Sequence, residues 1–481
     1  MREMISVKKY LDKTLEAKER ARLLLKEMSL DEKMAQINCI FPFDQNAYNF
    51  DLMKEQTKYG IGEVSTLEMR RMETLDEVAN WQRKVQRIVM ENSEHHIPAI
   101  FHMEGLCGAF IQDSTSFPAG IGRGASFDPE LEEKIAEIVT RQETACGITH
   151  VLAPILDVAR DPRMGRYGEP YGEDAALVSA MGAAYTKGAQ KNTVDQRKAE
   201  SVAKHFVAFH NSQGGIHGTH SETPIRLLQE VYAKPFQAAI SEAGLKGVMP
   251  CYCSINGEDV SASYNMLTKL IREDMVYEGM CISDYGAVGN AHSVHHIGET
   301  FEDAGLMCLS AGMDVEMPSV TGYNEKLKEM FRRGAADIKV LDTAVLRVLE
   351  GKFRMGLFEN PFAMEGEELH SVVINDNDRD VSLKSARESM VLLKNDGVLP
   401  LDLGVKKIAL IGPHAAYARK MFGGYTHMCM MESTYAIANS IAGVSGVVQA
   451  DAKEIVTVPG TNIQSDETEQ FDQILKRQKP Q

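Results

Sequence analysis

The chain has 481 residues, of which 44% are hydrophobic and 25% are charged. This is the composition of a globular protein and excludes wholesale disorder. The 52 lysines and arginines against 68 aspartates and glutamates give a net charge of −16. Such a charge disfavours nucleic acid and anionic membranes as partners and suits a neutral ligand. At about 150 residues per domain, the length allows roughly three domains, or one large barrel and part of a second domain.

Neither a membrane span nor a secretory signal is predicted. No stretch reaches the roughly eighteen apolar residues of a spanning helix, and the first residues, MREMISVKKYLDK, lack the apolar segment of a signal peptide. The eight cysteines lie in apolar runs without a CxxC pair, which favours free buried thiols over disulfides or a zinc site. These features predict a cytoplasmic protein and leave formation of a homo-oligomer open.

Short apolar runs alternate with longer amphipathic stretches over the first 360 residues. The stretch 128–145 is typical of a helix, with Asp128 as N-cap and Pro129 at the first helical position. Continuous apolar strands that are each followed by a helix indicate a parallel sheet covered on both faces. Further helical patterns lie at 175–190, 223–243 and 265–275. The candidate strands are Gly60–Ser65, Ile97–Glu104, Thr149–Val158, Ser201–Phe209, Gly247–Ile255, Met280–Tyr285 and Gly312–Met317.

These units predict an α/β protein in which residues 1–360 form a (β/α)8 TIM-type barrel with long insertions. The pattern breaks near residue 360 at a glycine and a proline, and the polar stretch 361–384 is interpreted as a linker. A new βα pattern begins at residue 385, with 407–412 as its first candidate strand. We therefore expect 385–481 to form a partial C-terminal α/β sandwich domain.

Polar or ionisable side chains stand at the ends of several candidate strands. In a barrel these ends converge on one mouth, where enzymes carry their active sites, although polar residues are also expected wherever a strand leaves the core. Asp284 directly follows an apolar strand, so its carboxylate could be a nucleophile, a general base, a metal ligand or a helix N-cap. The strand-end residues are Glu104, Asp157, Lys204 with His205, Tyr252, Asp284 and Glu316.

Two loops add candidate side chains. The stretch 157–174 is too polar for the core and is interpreted as a long functional loop, in which most arginines pair internally and one reaches the pocket. The adjacent Lys204 and His205 are suited to hydrogen bonds with vicinal hydroxyl groups. Lys204 could instead form a Schiff base, as in an aldolase-like barrel. Without an HExxH motif, neither a metal nor another cofactor is predicted.

Together these motifs resemble glycoside hydrolase family 3, the group of β-glucosidases and β-xylosidases. The resemblance covers nearly the whole chain. It implies a barrel followed by an α/β sandwich, and exo-acting hydrolysis of β-linked sugars with retention of configuration. The motifs are HMEGLCG (102–108), SFPAGIGRGASFDPEL (116–131), DVARDPRMGRYGEPYGED (157–174), KHF (204–206), VMPCYCSINGE (248–258), SDYGAV (283–288) and ESMVLLKNDGVLPL (388–401).

The resemblance also implies roles for individual residues. Asp284 matches the catalytic nucleophile. Glu104 takes the place of a carboxylate, commonly Asp, that holds sugar hydroxyls, and Tyr285 stands where Trp is frequent. The substrate-binding residues implied by matching motifs are Glu104, Arg166, Lys204, His205, Tyr252 and Tyr285.

An acid/base residue is not assigned by the resemblance. Two-domain members carry it as a Glu on a later loop of the second domain, and Glu432 lies in no matching motif. Some relatives use an Asp–His dyad on the loop after the KH strand. Here that loop, 210–220, contains no Asp, which leaves His217 and His220 as unpaired candidates.

We therefore predict a retaining exo-acting β-glucosidase that releases terminal β-D-glucosyl residues from an oligosaccharide or glycoside. The reaction passes through a covalent glycosyl intermediate on Asp284. The alternatives are a β-xylosidase of the same family and a catalytically poor sugar-binding protein without an acid/base residue. The least favoured alternative is an aldolase-like enzyme in which Lys204 forms a Schiff base.

Overall fold

The computed structural model describes residues 8–402, 404 and 425–427. The chain divides into two compact units, Met1–Ser389 and Met390–Gln481. All the strands and helices below belong to the first unit. The candidate strand 407–412, Cys429 and Glu432 lie outside the described residues.

Seven parallel strands form one sheet in which strands adjacent in the chain are also neighbours in space. Beyond the last strand, Ile282 pairs with Val315, and the next backbone N–H, of Glu316, donates to the carbonyl of Ile37 at 2.9 Å. The segment at Val315 therefore lies between the last strand and the chain just before the first, and the sheet curls into a barrel. This confirms the predicted α/β TIM-type fold. The strands are β1 Cys39–Ile40, β2 Glu63–Ser65, β3 Ile100–Met103, β4 His150–Val151, β5 Glu200–Phe206, β6 Gly247–Pro250 and β7 Met280–Cys281.

Helices precede, separate and follow the strands in the chain, and most of them bury an apolar face. Helix Pro129–Ala145 begins as predicted, because Asp128 Oδ1 accepts from the Leu131 N–H at 2.9 Å. The other α-helices are Ala17–Leu25, Leu30–Gln36, Phe50–Gln56, Leu75–Asn92, Gly120–Gly124, Ala175–Lys191, Ile225–Leu227, Lys234–Ala243, Ala287–Ser293, Phe301–Ala311, Glu325–Arg332, Ile338–Arg354, Gly366–Val373 and Asp376–Glu388; Leu228–Tyr232 and Asn265–Asp274 are π-helices.

Some predicted elements differ from the observed ones. The sequence analysis missed β1, which has only two residues and so carries little pattern. The candidate strand Thr149–Val158 is regular only over β4, because Pro154 has no N–H to donate to a neighbouring strand. The helix expected over 223–243 is interrupted and restarts at Lys234–Ala243, where Pro235 stands in the first turn.

The segment 361–384, which was predicted as a linker, contains regular structure. It holds the helix Gly366–Val373 and most of the helix Asp376–Glu388. Gln142 Nε2 donates to the carbonyl of Val373 at 2.9 Å, and Arg141 forms an ion pair with Asp378. The polarity of this segment is explained by the exposed faces of two short helices that pack on the barrel's outer layer.

The described cysteines agree with the predicted thiol chemistry. All seven are buried and unpaired, and burial raises the pKa of Cys107 and Cys146 to about 12. No helix among the described residues combines the length and apolarity needed to cross a membrane. The cytoplasmic location stays a prediction.

Candidate active site

Side chains from the ends of β3, β5, β6 and β7 meet at one end of the barrel. Lys204 Nζ lies 2.6 Å from Glu104 Oε2, and the Tyr252 hydroxyl lies 2.7 Å from Asp284 Oδ1. His205 joins the two pairs, because its Nε2 lies 3.7 Å from Asp284 Oδ2. The predicted convergence of strand-end residues is therefore present in the fold.

Asp284 presents one oxygen to hydrogen-bond donors, while its other oxygen accepts no hydrogen bond from the residues that the structure describes. Its Oδ1 accepts from the Tyr252 hydroxyl and from the backbone N–H of Tyr285, both at 2.7 Å. Its Oδ2 is buried and has no hydrogen-bond partner among the described residues. The N-cap interpretation fails, because the following helix begins after Gly286, whose φ of 77° lets the chain turn there. The Asp284 carboxylate is therefore held at one oxygen and available for chemistry at the other.

Lys204 and Glu104 form an ion pair near the carboxyl ends of β5 and β3. Lys204 is 2% exposed, and the Glu104 side chain is 15% exposed. Burial raises the pKa of Glu104, the facing Lys204 ammonium opposes this shift, and the charges of Glu169 and Asp284 add to it. Engagement of the lysine as an ammonium disfavours the Schiff-base alternative, which needs a neutral amine. Together the pair offers a charged donor beside a strong acceptor.

His205 is oriented by Asp157 and Arg166. Its Nδ1 lies 2.8 Å from Asp157 Oδ2, and its Nε2 lies 3.1 Å from Arg166 Nη2. Because a guanidinium can only donate, Nε2 accepts and Nδ1 carries the proton. Burial and the positive charges of Arg166 and Lys204 hold the pKa of His205 well below its usual range. His205 is therefore a neutral side chain with one assigned tautomer.

Arg166 is the arginine of the loop 157–174 that reaches the pocket. Its guanidinium forms a bidentate ion pair with Glu169, with Nε 2.6 Å from Oε1 and Nη2 2.7 Å from Oε2. The guanidinium also lies 5.2 Å from the ring centre of Phe209. Arg163 instead pairs with Asp161 at the surface. Arg166 therefore pairs inside the loop, as Arg163 does, and also contacts His205, while its role in the pocket stays a prediction.

The two predicted tyrosines have different orientations. The Tyr252 hydroxyl faces Asp284 and also lies 3.0 Å from the carbonyl oxygen of Tyr285. The Tyr285 hydroxyl points elsewhere, 2.8 Å from Ser65 Oγ and 2.9 Å from His102 Nε2. Only the ring and the backbone of Tyr285 are therefore placed near the pocket.

Of the two histidine acid/base candidates, which the structure describes, His217 lies beside the site. Its ring centre lies 5.1 Å from that of Tyr252 and 5.2 Å from that of Phe209. Burial and Arg166 lower the pKa of His217, while Asp284 and Glu169 oppose the shift. His220 is exposed. The loop that carries the candidates thus brings one of them against the pocket wall.

Sequence reasoning did not single out two residues that support this site. Glu63 in β2 and His102 in β3 are 0% and 1% exposed and hydrogen-bond to each other at 2.9 Å. The sequence could have indicated that they pair, because each is an ionisable residue inside an apolar strand and buried charges are normally paired. Asp157 was recognised as a strand-end residue but not as the partner of His205.

A metal-ligand geometry occurs away from the pocket. Among the described residues, Glu32, Glu94 and His95 place three potential ligand atoms within 4.8 Å of one another. Glu32 already accepts hydrogen bonds from Ser29 and His95, so its carboxylate is explained as part of a capping box.

Comparison with known proteins places these observations in a family context. Residues 29–350 match the model described as the glycosyl hydrolase family 3 N terminal domain. The chain is 34% identical over 359 residues to a β-xylosidase of Formosa agariphila, covering 70% of this chain and 49% of that protein.

Solved structures of β-glucosidases share the fold. One from Erythrobacter marinus has a TM-score of 0.77 and 29% identity, covering 82% of this chain and 53% of that one. A Listeria innocua β-glucosidase in complex with glucose has a TM-score of 0.71 and 29% identity, covering 80% and 53%. The chain thus spans about half the length of these relatives.

Proposed function

The chain belongs to glycosyl hydrolase family 3, and from this membership we propose that it is a retaining, exo-acting β-glucosidase with Asp284 as its nucleophile. The observation that carries the proposal is the asymmetric carboxylate of Asp284. Two donors hold Oδ1, while buried Oδ2 has no hydrogen-bond partner among the described residues. A retaining glycosidase needs such an oxygen below the anomeric carbon.

The proposed reaction has two displacements at the anomeric carbon. Asp284 Oδ2 attacks, the glycosidic bond breaks, and the leaving oxygen takes a proton from the acid/base group, giving a glycosyl ester on Asp284. Water then attacks the same carbon and gives a proton back to the acid/base group, the ester bond breaks, and the carboxylate is regenerated. The sugar is released with its original configuration, because each displacement inverts it once.

The remaining polar groups of the pocket are suited to hold a pyranose ring. Lys204 and Arg166 can donate to hydroxyl groups, whereas Glu104 can accept from them. Donors and acceptors on rigid strand ends reduce the entropy lost in reaching the attack geometry. The proposed substrate is thus a neutral β-linked oligosaccharide or glycoside.

A covalent probe tests the nucleophile. We expect 2,4-dinitrophenyl 2-deoxy-2-fluoro-β-glucoside to add one fluorosugar to the peptide containing Asp284. Its leaving group departs without protonation, so labelling does not depend on the acid/base residue. Asp284→Gly should lose turnover and regain it with azide, giving the α-glycosyl azide. Asp274→Asn, at an exposed aspartate, is the control and should label normally.

Labelling at another residue, or wild-type turnover by Asp284→Asn, would contradict the proposal. Glucose binding without any labelling would instead support the sugar-binding alternative.

A β-xylosidase is the second candidate, because the Formosa agariphila relative carries that name. The two sugars differ by the hydroxymethyl group on C5. Comparing kcat/KM for nitrophenyl β-glucoside and β-xyloside separates the two candidates. We expect the glucoside to be the better substrate, and a preference for the xyloside would reassign the specificity while leaving Asp284 as nucleophile.

A further inference from the structure

We propose that the buried pair Glu63–His102 is a positioning device for the nucleophile, acting on Asp284 through the side chain of Tyr285. The inference rests on the proposed role of Asp284. It starts from the observation that the Tyr285 hydroxyl points away from the pocket and into the barrel, where Ser65 and His102 hold it.

The hydrogen bonds behind Tyr285 form a continuous chain. His102 Nδ1 lies 2.9 Å from Glu63 Oε2, and His102 Nε2 lies 2.9 Å from the Tyr285 hydroxyl. Ser65 Oγ lies 2.8 Å from the same hydroxyl. With the His102 proton on Nδ1, every bond has a donor and an acceptor: Ser65 donates to Tyr285, Tyr285 to His102, and His102 to Glu63.

The anchor of this chain is an ionised carboxylate. Burial alone would raise the pKa of Glu63, but the facing His150 ring and the hydrogen bond from His102 lower it. His150 Nδ1 lies 3.0 Å from Glu63 Oε1, opposite the oxygen that meets His102. A histidine bound to a fixed carboxylate is held in one tautomer and one ring orientation.

The strand register explains why the anchors lie together. Glu63 and Ser65 are two residues apart on β2, so their side chains share one face of the sheet. Ser65 is paired directly with His102 on the neighbouring strand β3. Both partners of the Tyr285 hydroxyl thus come from adjacent positions on rigid, buried strands.

Tyr285 transmits this anchoring to Asp284 through its backbone. Its N–H donates to Asp284 Oδ1, and its carbonyl oxygen lies 3.0 Å from the Tyr252 hydroxyl, the second group beside Oδ1. The Tyr285 N–H is thus a direct donor to Oδ1, and the Tyr285 carbonyl oxygen is the second acceptor that faces the single proton of the Tyr252 hydroxyl. If the phenol ring moves, the N–H donor moves with it and the direction of Oδ2 changes.

The test compares Tyr285→Phe with Tyr48→Phe. Each substitution removes one tyrosine hydroxyl and keeps the ring, but Tyr48 is 50% exposed and its hydroxyl bonds to Glu77 on an outer helix. A displacement of about 1 Å at the reacting groups costs up to about 100-fold in rate. We expect Tyr285→Phe to lower kcat and the rate of fluorosugar labelling at Asp284 about tenfold, with KM within about twofold. Tyr48→Phe should match the wild type.

A double-mutant cycle tests the connection to His102. His102→Gln should lower the labelling rate by a similar factor, and the double variant should be no slower than the slower single variant, because both changes break one chain. Ser65→Ala replaces His102→Gln if the latter does not fold.

Four results would each overturn the inference. Three concern Tyr285→Phe: an unchanged kcat, a change in KM alone, or lowered thermal stability with a normal labelling rate. The fourth is additive effects of Tyr285→Phe and His102→Gln in the double-mutant cycle. Failure of the wild type to label Asp284 would refute the proposed function itself, which keeps the two failures distinct.

Discussion

Replacing Lys204 by methionine should destabilise the protein in a pH-dependent manner. The change removes the ammonium group that lies 2.6 Å from Glu104 Oε2 and keeps a side chain of similar volume. Burial already raises the pKa of Glu104 and Lys204 opposes this shift, so its loss should raise that pKa further. The Glu104 carboxylate is then left at a buried site without its ion-pair partner.

The magnitude follows from two limits. Removing one partner of a buried ion pair costs about 3–5 kcal/mol. The cost cannot exceed the free energy of protonating Glu104, because the folded variant can avoid the unpaired charge by binding a proton. For a carboxyl with an unfolded-state pKa of about 4.3, protonation at pH 7 requires roughly 4 kcal/mol. At pH 5 the same limit is only about 1 kcal/mol. We therefore expect Lys204→Met to lose about 3–4 kcal/mol at pH 7 and about 1 kcal/mol at pH 5.

The sign agrees with proton linkage. In the variant the folded state binds a proton on Glu104 at pH values where the unfolded state does not. Its free energy of unfolding therefore falls, relative to the wild type, as pH rises between the two pKa values. Lowering the pH through this window should remove most of the difference.

Urea unfolding at pH 5 and pH 7 measures these quantities. Lys384→Met is the matched control, because the Lys384 side chain in its ion pair with Asp128 is 52% exposed and the pair should contribute less than about 1 kcal/mol. The double variant Lys204→Met/Glu104→Gln should recover most of the stability at pH 7. An equal loss at both pH values, or a double variant as unstable as the single one, would refute the reasoning.

Two further predictions concern packing. Gly120→Ala should lose both stability and activity, because its Cβ would lie 1.9 Å from the carbonyl oxygen of Glu169, the residue that pairs with Arg166. Gly168→Ala is the control and should resemble the wild type, because its Cβ would meet no atom within 4 Å. Thermal melts and kcat/KM compare the two variants, and equal behaviour would contradict the expectation. The seven buried cysteines should react with Ellman's reagent only after unfolding, and rapid modification of two or more thiols in the native protein would be inconsistent with this fold.

The barrel was predictable because its signal is local. Each parallel strand is buried on both faces and reads as a continuous apolar run, and each following helix carries its own periodicity and cap, such as Asp128. The convergence of Glu104, Lys204 and Asp284 also followed, since parallel strands present their carboxyl ends at one mouth. Their implied roles came from the motif resemblance and stay proposals.

Local pattern failed where long-range contacts set the structure. Strand β1 has two residues and owes its place to pairing with β2. The polar segment 361–384 looked like a linker, but its helices bury residues such as Leu369 and Val373 against the barrel's outer layer. In both cases the stabilising contacts lie far away in the chain.

By itself, the sequence determined which residue types stand at the strand ends and hence the chemistry available at the mouth of the barrel. Tertiary structure alone decided which Asp284 oxygen is held, which His205 nitrogen carries the proton, and that Tyr285 points inward. These depend on side-chain orientations selected by partners far along the chain; Ser65 and Tyr285, for example, are 220 residues apart. Strand register and close packing bring such partners together, and neither is encoded in a local run of residues.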